Sequence, residues 1–182
     1  MSHLLHFLAT MIVIKKNCIR SLLLIAILPI ILAYAAPATA DEEQDATGLP
    51  VPRFVSLKAG EVNMRVGPGT RYSINWVYKR EGLPVEIIQE FDQWREIRDS
   101  EGTIGWVHKL MLQAKRMAII KSSTGTLRHT PEEHAKPLLR VESGVTGRLL
   151  ECERDWCRMQ IAGRKGWIEK KHIWGAYSKE EF

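Results

Sequence analysis

No stretch of this 182-residue chain carries the signature of a common enzyme. There is no G-x-S-x-G elbow, no H-E-x-x-H helix, no Walker loop and no dinucleotide fingerprint. Cysteine is scarce, with 3 in the whole chain and no C-x-x-C pair, so the usual redox motif is missing too. His129 and His134 flank Pro131-Glu132-Glu133, but this spacing across a proline turn is not one that holds zinc. The chain therefore reads as non-catalytic, with no metal and no cofactor.

A second absence lies at the start. Residues 1–40 contain no Asp or Glu. Lys15, Lys16 and Arg20 form a basic cluster ahead of the apolar run Leu22–Leu32, and Ala38-Thr39-Ala40 precedes Asp41. Basic region, apolar region and small-residue site follow in the order of a secretory signal peptide. The apolar run is shorter than the ~20 residues needed to cross a bilayer, and Pro29 interrupts it. The expectation is cleavage after Ala40 and a periplasmic or secreted product that meets the membrane only through its leader. Met11 would give a more ordinary leader than Met1. Cys18 precedes the apolar run, so it is not placed as a lipoprotein cysteine. Removing the leader takes three of the 26 Lys and Arg, which leaves 23 against 21 Asp and Glu. A net charge of +2 gives no support to a nucleic-acid partner, whose affinity rests on concentrated basic charge. Residues 41–53 are acidic and then rich in proline, without periodicity, and read as a linker.

What is present beyond the linker is β-structure. Val62, Met64 and Val66 alternate with Glu61, Asn63 and Arg65, the period of a half-buried strand. The strand runs into Gly67-Pro68-Gly69, where the proline fixes φ and the glycines admit angles that a side chain forbids. Gly82–Ile88 reads as a turn and strand, Trp94–Ile97 as a short strand, and Gly105-Trp106-Val107 as the opening of another. The ordered set N-x-R-x-G-P-G-T, G-x-x-V, a lone Trp and Gly-Trp-Val resembles the bacterial SH3-like (SH3b) domain over residues 54–111. That resemblance implies a small β-barrel and a cell-envelope role, since such domains accompany wall hydrolases and bind peptidoglycan or peptides.

The pattern recurs. Thr126-Leu127-Arg128 stands where Asn63-Met64-Arg65 stood, Trp156 matches Trp94, and Gly166-Trp167-Ile168 matches Gly105-Trp106-Val107. Arg65 to Trp94 is 29 positions and Arg128 to Trp156 is 28; the following Trp-to-Trp steps are 12 and 11. Spacings kept this closely indicate an internal repeat. The expected architecture is all-β: two tandem SH3-like β-barrels, at residues 54–113 and a divergent 114–177, with 178–182 as a tail. At ~60 residues each copy is marginal alone, so the two are expected to pack together. In copy two His129-Thr130-Pro131-Glu132 replaces the glycine turn, which predicts a short helical turn and leaves a ligand site at that loop open to question.

Beyond the leader only Cys152 and Cys157 remain, flanking a four-residue hairpin loop. In an oxidising compartment they are expected to pair rather than bind metal or stay free, stabilising the copy by ~2 kcal/mol. Aligned on the tryptophans, they fall opposite Glu90 and Arg95 of copy one, an oppositely charged pair in the place of a sulfur pair.

Alternation sets Trp94 and Glu96 on one face and Arg95 and Ile97 on the other; in copy two Trp156, Arg158 and Gln160 oppose Cys157, Met159 and Ile161. Trp94 and Trp156 beside charged neighbours fit the wall of a binding groove, and equally a barrel cap or an inter-domain contact. The candidate groove set is Arg65, Tyr72, Trp76, Trp94, Trp106, Trp156 and Trp167. Among these, the recurring Arg65 has a second reading, as a tie for its turn. The partner expected is peptidoglycan or an envelope protein. The rival reading is a structural or regulatory subunit of an envelope enzyme, with no small-ligand groove.

Overall fold

The computed structural model describes residues 47–182. The proposed leader, the choice between Met1 and Met11, and residues 41–46 of the linker lie outside the described residues.

The described chain is all-β, in two successive sheets. Copy one contributes β1 (Arg53–Leu57), β2 (Val62–Arg65), β3 (Ile74–Tyr78), β4 (Pro84–Phe91), β5 (Trp94–Arg98), β6 (Ile104–His108) and β7 (Leu112–Gln113). Copy two contributes β8 (Met117–Ile120), β9 (Thr124–Arg128), β10 (Pro137–Glu142), β11 (Thr146–Glu153), β12 (Trp156–Ile161), β13 (Arg164–Glu169) and β14 (Ile173–Trp174). The antiparallel orders are β3-β2-β6-β5-β4-β1-β7 and β10-β9-β13-β12-β11-β8-β14, the same topology twice. A single 3-10 turn precedes the last strand of each, at Lys109–Met111 and Lys170–His172.

Period-two alternation sets the inward faces. Val62, Met64, Val85, Ile97 and Val107 are buried in copy one, and Leu127, Leu149, Met159, Ile168 and the two cysteines in copy two. The glycine of each Gly-Trp pair also points inward. A Cβ on Gly105 would lie 2.7 Å from Met64 Cγ and 2.9 Å from the Arg65 carbonyl; on Gly166 it would lie 2.8 Å from Leu127 Cβ. The recurring glycine therefore serves the close approach of β2 to β6 and of β9 to β13.

Cys152 and Cys157 are disulfide-bonded directly across β11 and β12, Cα atoms 4.1 Å apart. Glu90 and Arg95 hold the same register across β4 and β5. Both side chains are almost fully buried, and Arg95 Nε lies 2.9 Å from Glu90 Oε1. Arg53 makes a second ion pair to the same carboxylate, and Thr47 donates to Glu90 Oε2 from its N–H (3.0 Å) and hydroxyl (2.7 Å). Residues 47–53 are thus anchored rather than free, and the first strand starts at Arg53. At the other end, Phe182 and Cys152 exchange backbone hydrogen bonds (3.0 and 3.1 Å), so residues 178–182 are docked on β11. The short helical turn expected after Thr130 is not formed. The segment makes one tight turn, with Ala135 N donating to Glu132 O at 3.1 Å, before β10 begins. Thr130-Pro131 starts a turn, and Pro137 then opens a strand instead of a helix continuing.

The copies meet through aromatics. Phe54 belongs to neither core; its ring lies 4.9 Å from Trp174, edge-on, and 4.6 Å from Tyr177. The Tyr177 hydroxyl donates to Glu86 Oε1 of copy one (2.8 Å), a buried carboxylate that also accepts from Arg98. Arg80 reaches the Gly144 carbonyl (3.0 Å). Burial, followed by the bond to Glu86, raises the Tyr177 pKa, so the phenol stays a neutral donor across the ordinary pH range. Glu180 is drawn both ways: burial pushes its carboxyl up, but hydrogen bonds from Arg116 and from Tyr177 N, with the charges of Arg116 and Lys170, hold it below the usual range.

Glu90→Ala leaves Arg95 buried without its anion and is expected to cost about 3–5 kcal/mol. Replacing both cysteines by serine is expected to cost about 2 kcal/mol. Denaturant titrations with and without reductant give the order; a cysteine loss exceeding the Glu90 loss would reverse the assignment. The depressed Glu180 pKa contributes stability that is full above the unfolded value of 4.5 and is lost as pH falls through the folded value. The thermal midpoint should therefore drop below about pH 4.5, less steeply in Glu180→Gln.

Candidate functional site

The outward faces of β5 and β6, and of β12 and β13, carry the tryptophans. Cross-strand register sets Trp94 opposite His108, Glu96 opposite Trp106, and Trp106 in turn opposite Arg65 of β2. The Trp94 and His108 rings meet edge-on at 5.4 Å. Both tryptophans are half-buried, as they are in copy two, where Trp156 faces Glu169 and Trp167 lies between Arg158 and Arg128. An indole with one side packed on a sheet and the other in water beside charged groups is suited to stacking on a ligand ring or an apolar chain.

The loops above these faces are built differently. In copy one Arg65 Nη1 donates to the carbonyls of Tyr72 (2.6 Å) and Thr70 (3.2 Å) and so ties the loop to β2. Arg128 repeats this in copy two, donating to the Ala135 carbonyl at 2.9 Å. The recurring arginines thus hold turns. The glycines of Gly67-Pro68-Gly69 do not supply the left-handed backbone that the sequence reading invoked; neither adopts positive φ. Gly67 is needed for space, because a Cβ there would lie 2.6 Å from the Tyr72 ring. Tyr72 is therefore packed on its own loop, half-buried, with the Arg71 guanidinium 5.1 Å from its ring.

Copy two has a cavity at this place. About 250 Å³ opens between Pro131 and Glu132 on the loop, Glu153, Arg154 and Asp155 on the β11–β12 turn, and Trp156. Three carboxylates against one guanidinium favour a ligand that carries an amine. Pro131 and Glu132, read from the sequence as the replacement for the glycine turn that left a ligand site there open to question, were not in the candidate groove set, yet they line this cavity. His108 and Glu96 of copy one were also missed as site members, although alternation places Glu96 with Trp94.

Trp76 stands apart from this face. It pairs with Met64 on the inward side of β3, yet it is 54% exposed, because it overhangs the junction of the two copies. There it lines a cleft of about 390 Å³ with Tyr78, Lys79, Arg80, Asp99 and, from copy two, Ile119. The Tyr78 hydroxyl donates to Asp99 Oδ2 (3.0 Å), and burial together with that carboxylate raises its pKa. Trp174 is the inter-copy contact described above.

The family described as "Bacterial SH3 domain" matches this chain twice, at residues 58–113 and 121–175. No curated protein matches it. Among solved structures, NlpC2 from Trichomonas vaginalis is similar at 12% identity with a TM-score of 0.33, over 71% of this chain and 50% of that one. NlpC1 from the same organism is similar at 12% identity and TM-score 0.33, over 71% of this chain and 48% of that one. The chain thus spans about half the length of these two proteins.

The loop geometry separates the two glycines. Gly67→Ala is expected to displace Tyr72 and cost about 1–3 kcal/mol, as overpacking does. Gly69→Ala, where the nearest ring atom would be 3.4 Å away, is expected to be much milder. Equal thermal midpoints for the two variants would remove the packing explanation.

Proposed function

The chain belongs to the bacterial SH3 domain family, and on that premise we propose that it is an exported, non-catalytic binding module of the cell envelope that recognises peptidoglycan or a peptide of an envelope protein. The observation that carries this reading is the repeated pair of half-exposed tryptophans on the outward face of each copy, Trp94 with Trp106 and Trp156 with Trp167. Buried packing residues would have alternated inward with Met64, Ile97 and Met159; these alternate outward, beside Glu96 and Arg158. Export rests on the leader: its acid-free basic region, apolar run and Ala-x-Ala site.

Copy two supplies the more defined recess. Trp156 gives an aromatic wall, and Glu132, Glu153 and Asp155 give an acidic rim. A peptide bearing a free amine next to an apolar or sugar surface matches both features.

The test is co-sedimentation of residues 41–182 with purified peptidoglycan sacculi, with Trp94→Ala and Trp156→Ala in parallel. Binding is expected, and loss of the responsible tryptophan should weaken it tenfold or more, the effect of truncating a hot-spot aromatic worth ~2 kcal/mol. A folded wild type that does not sediment would sink the wall reading and favour the structural or regulatory subunit.

A further inference from the structure

The two copies carry the same groove on the side bounded by the first and last strands, and only in copy two does the chain's own tail fill it. Strand register equates the positions. Arg53 pairs with Ile87 as Arg116 O accepts from Leu149 N, and Glu90 corresponds to Cys152. Lys109 and Lys170 each open the 3-10 turn before the last strand.

In copy two the C-terminal segment lies across all three positions. Phe182 pairs with the backbone of Cys152. Lys170 Nζ donates to the carbonyls of Ser178 (3.1 Å) and Glu180 (2.7 Å). Arg116 grips the Glu180 carboxylate with both terminal nitrogens, and its guanidinium carbon lies 4.9 Å from the Phe182 ring. The occupant is thus a short segment, turned at Ser178–Lys179 where Glu180 N donates to the Tyr177 carbonyl (3.1 Å), with a carboxylate on the arginine, carbonyls on the lysine and an aromatic ring beside them.

Among the described residues, the copy-one counterpart is open. Thr47 takes the place of Phe182 at the Glu90 end, but Lys109 is exposed and Leu110 is 62% exposed. A cavity of about 420 Å³ remains there, with Leu49, Ile87, Leu110 and Leu112 as its apolar lining. Among the described residues, the charged side chains that line it, Arg53, Arg95 and Lys109, are all basic. The carboxylate bonded to both arginines there is Glu90, so three described cations meet one described anion. Arg95 Nη2 is buried with no hydrogen-bond partner among the described residues.

We infer that this copy-one groove binds a short acidic peptide of a partner protein, with a carboxylate on the basic side formed by Arg53 and Lys109 and an apolar or aromatic side chain over Leu110. The surface is separate from the tryptophan faces, so it stands whether or not those bind the wall. The chain's own tail is a poor candidate occupant, because Arg116, Lys170 and Cys152 already hold it.

The test uses the intact chain and a fluorescein-labelled peptide of the tail sequence Tyr-Ser-Lys-Glu-Glu-Phe, which shows the required chemistry in trans. Fluorescence anisotropy is expected to show saturable binding that weakens with added salt. Lys109→Glu and Leu110→Asp should each weaken it at least tenfold with the thermal midpoint unchanged, both positions being exposed. A peptide with both glutamates changed to glutamine should bind at least tenfold more weakly. Absence of saturable binding overturns the inference. So does binding that the Lys109 and Leu110 variants leave unaltered, which would place the peptide elsewhere, for example in exchange with the copy-two tail.

Discussion

A single inward position on the fourth strand of each copy governs how that copy is closed. In copy one it is Glu90, a carboxylate buried to within a percent and shared by Arg95, Arg53 and Thr47. A buried charge survives only where partners and hydrogen bonds offset its desolvation. Glu90 therefore fixes the β4–β5 hairpin, the start of β1 and the segment before it at once. In copy two the same position is Cys152, bonded to Cys157. The covalent link closes the hairpin without charge, and Arg116, the counterpart of Arg53, is left to find an anion elsewhere. The tail supplies it as Glu180. The tail docks on the arginine whose counterpart in copy one pairs with the buried Glu90.

That substitution also sets the junction. With the tail held on Arg116 and Lys170, Tyr177 is placed against Phe54 and donates to Glu86 in copy one. The corresponding pair in copy two is Arg148 and Gln160, in register across β11 and β12, so the junction has no symmetric mate. Two copies of one topology thereby become one asymmetric unit. Each ~60-residue core is small, and the aromatic junction buries Phe54, which neither core takes in.

Much of this was legible in the sequence. Period-two alternation set the faces of β5 and β12 correctly, and the spacing of Arg, Trp and Gly-Trp gave the repeat. Aligning Cys152 and Cys157 with Glu90 and Arg95 gave the cross-strand register, because opposite charges and a disulfide obey the same pairing geometry. The role of Gly67 was not legible. A Gly-Pro-Gly string reads as backbone freedom, whereas the constraint is the ring of Tyr72, five residues on, which local pattern does not encode. Nor was the docking of residues 178–182 visible, since a short charged tail has no periodicity and its partners, Arg116 and Lys170, lie far off in sequence.

The candidate site was legible in its residues and not in its grouping. Trp94 and Trp106 do share a face, as do Trp156 and Trp167, yet Trp76 belongs to the inter-copy cleft and Arg65 to the loop scaffold. The loop of copy two, which departs from the glycine pattern, frames a cavity beside its tryptophan. The two differences have a common physical basis. A glycine loop lets Tyr72 fold down over its own turn, whereas Pro131-Glu132 sets side chains facing Trp156 with space between. Divergence between the copies has therefore changed what each face presents while leaving the strands beneath it in the same register.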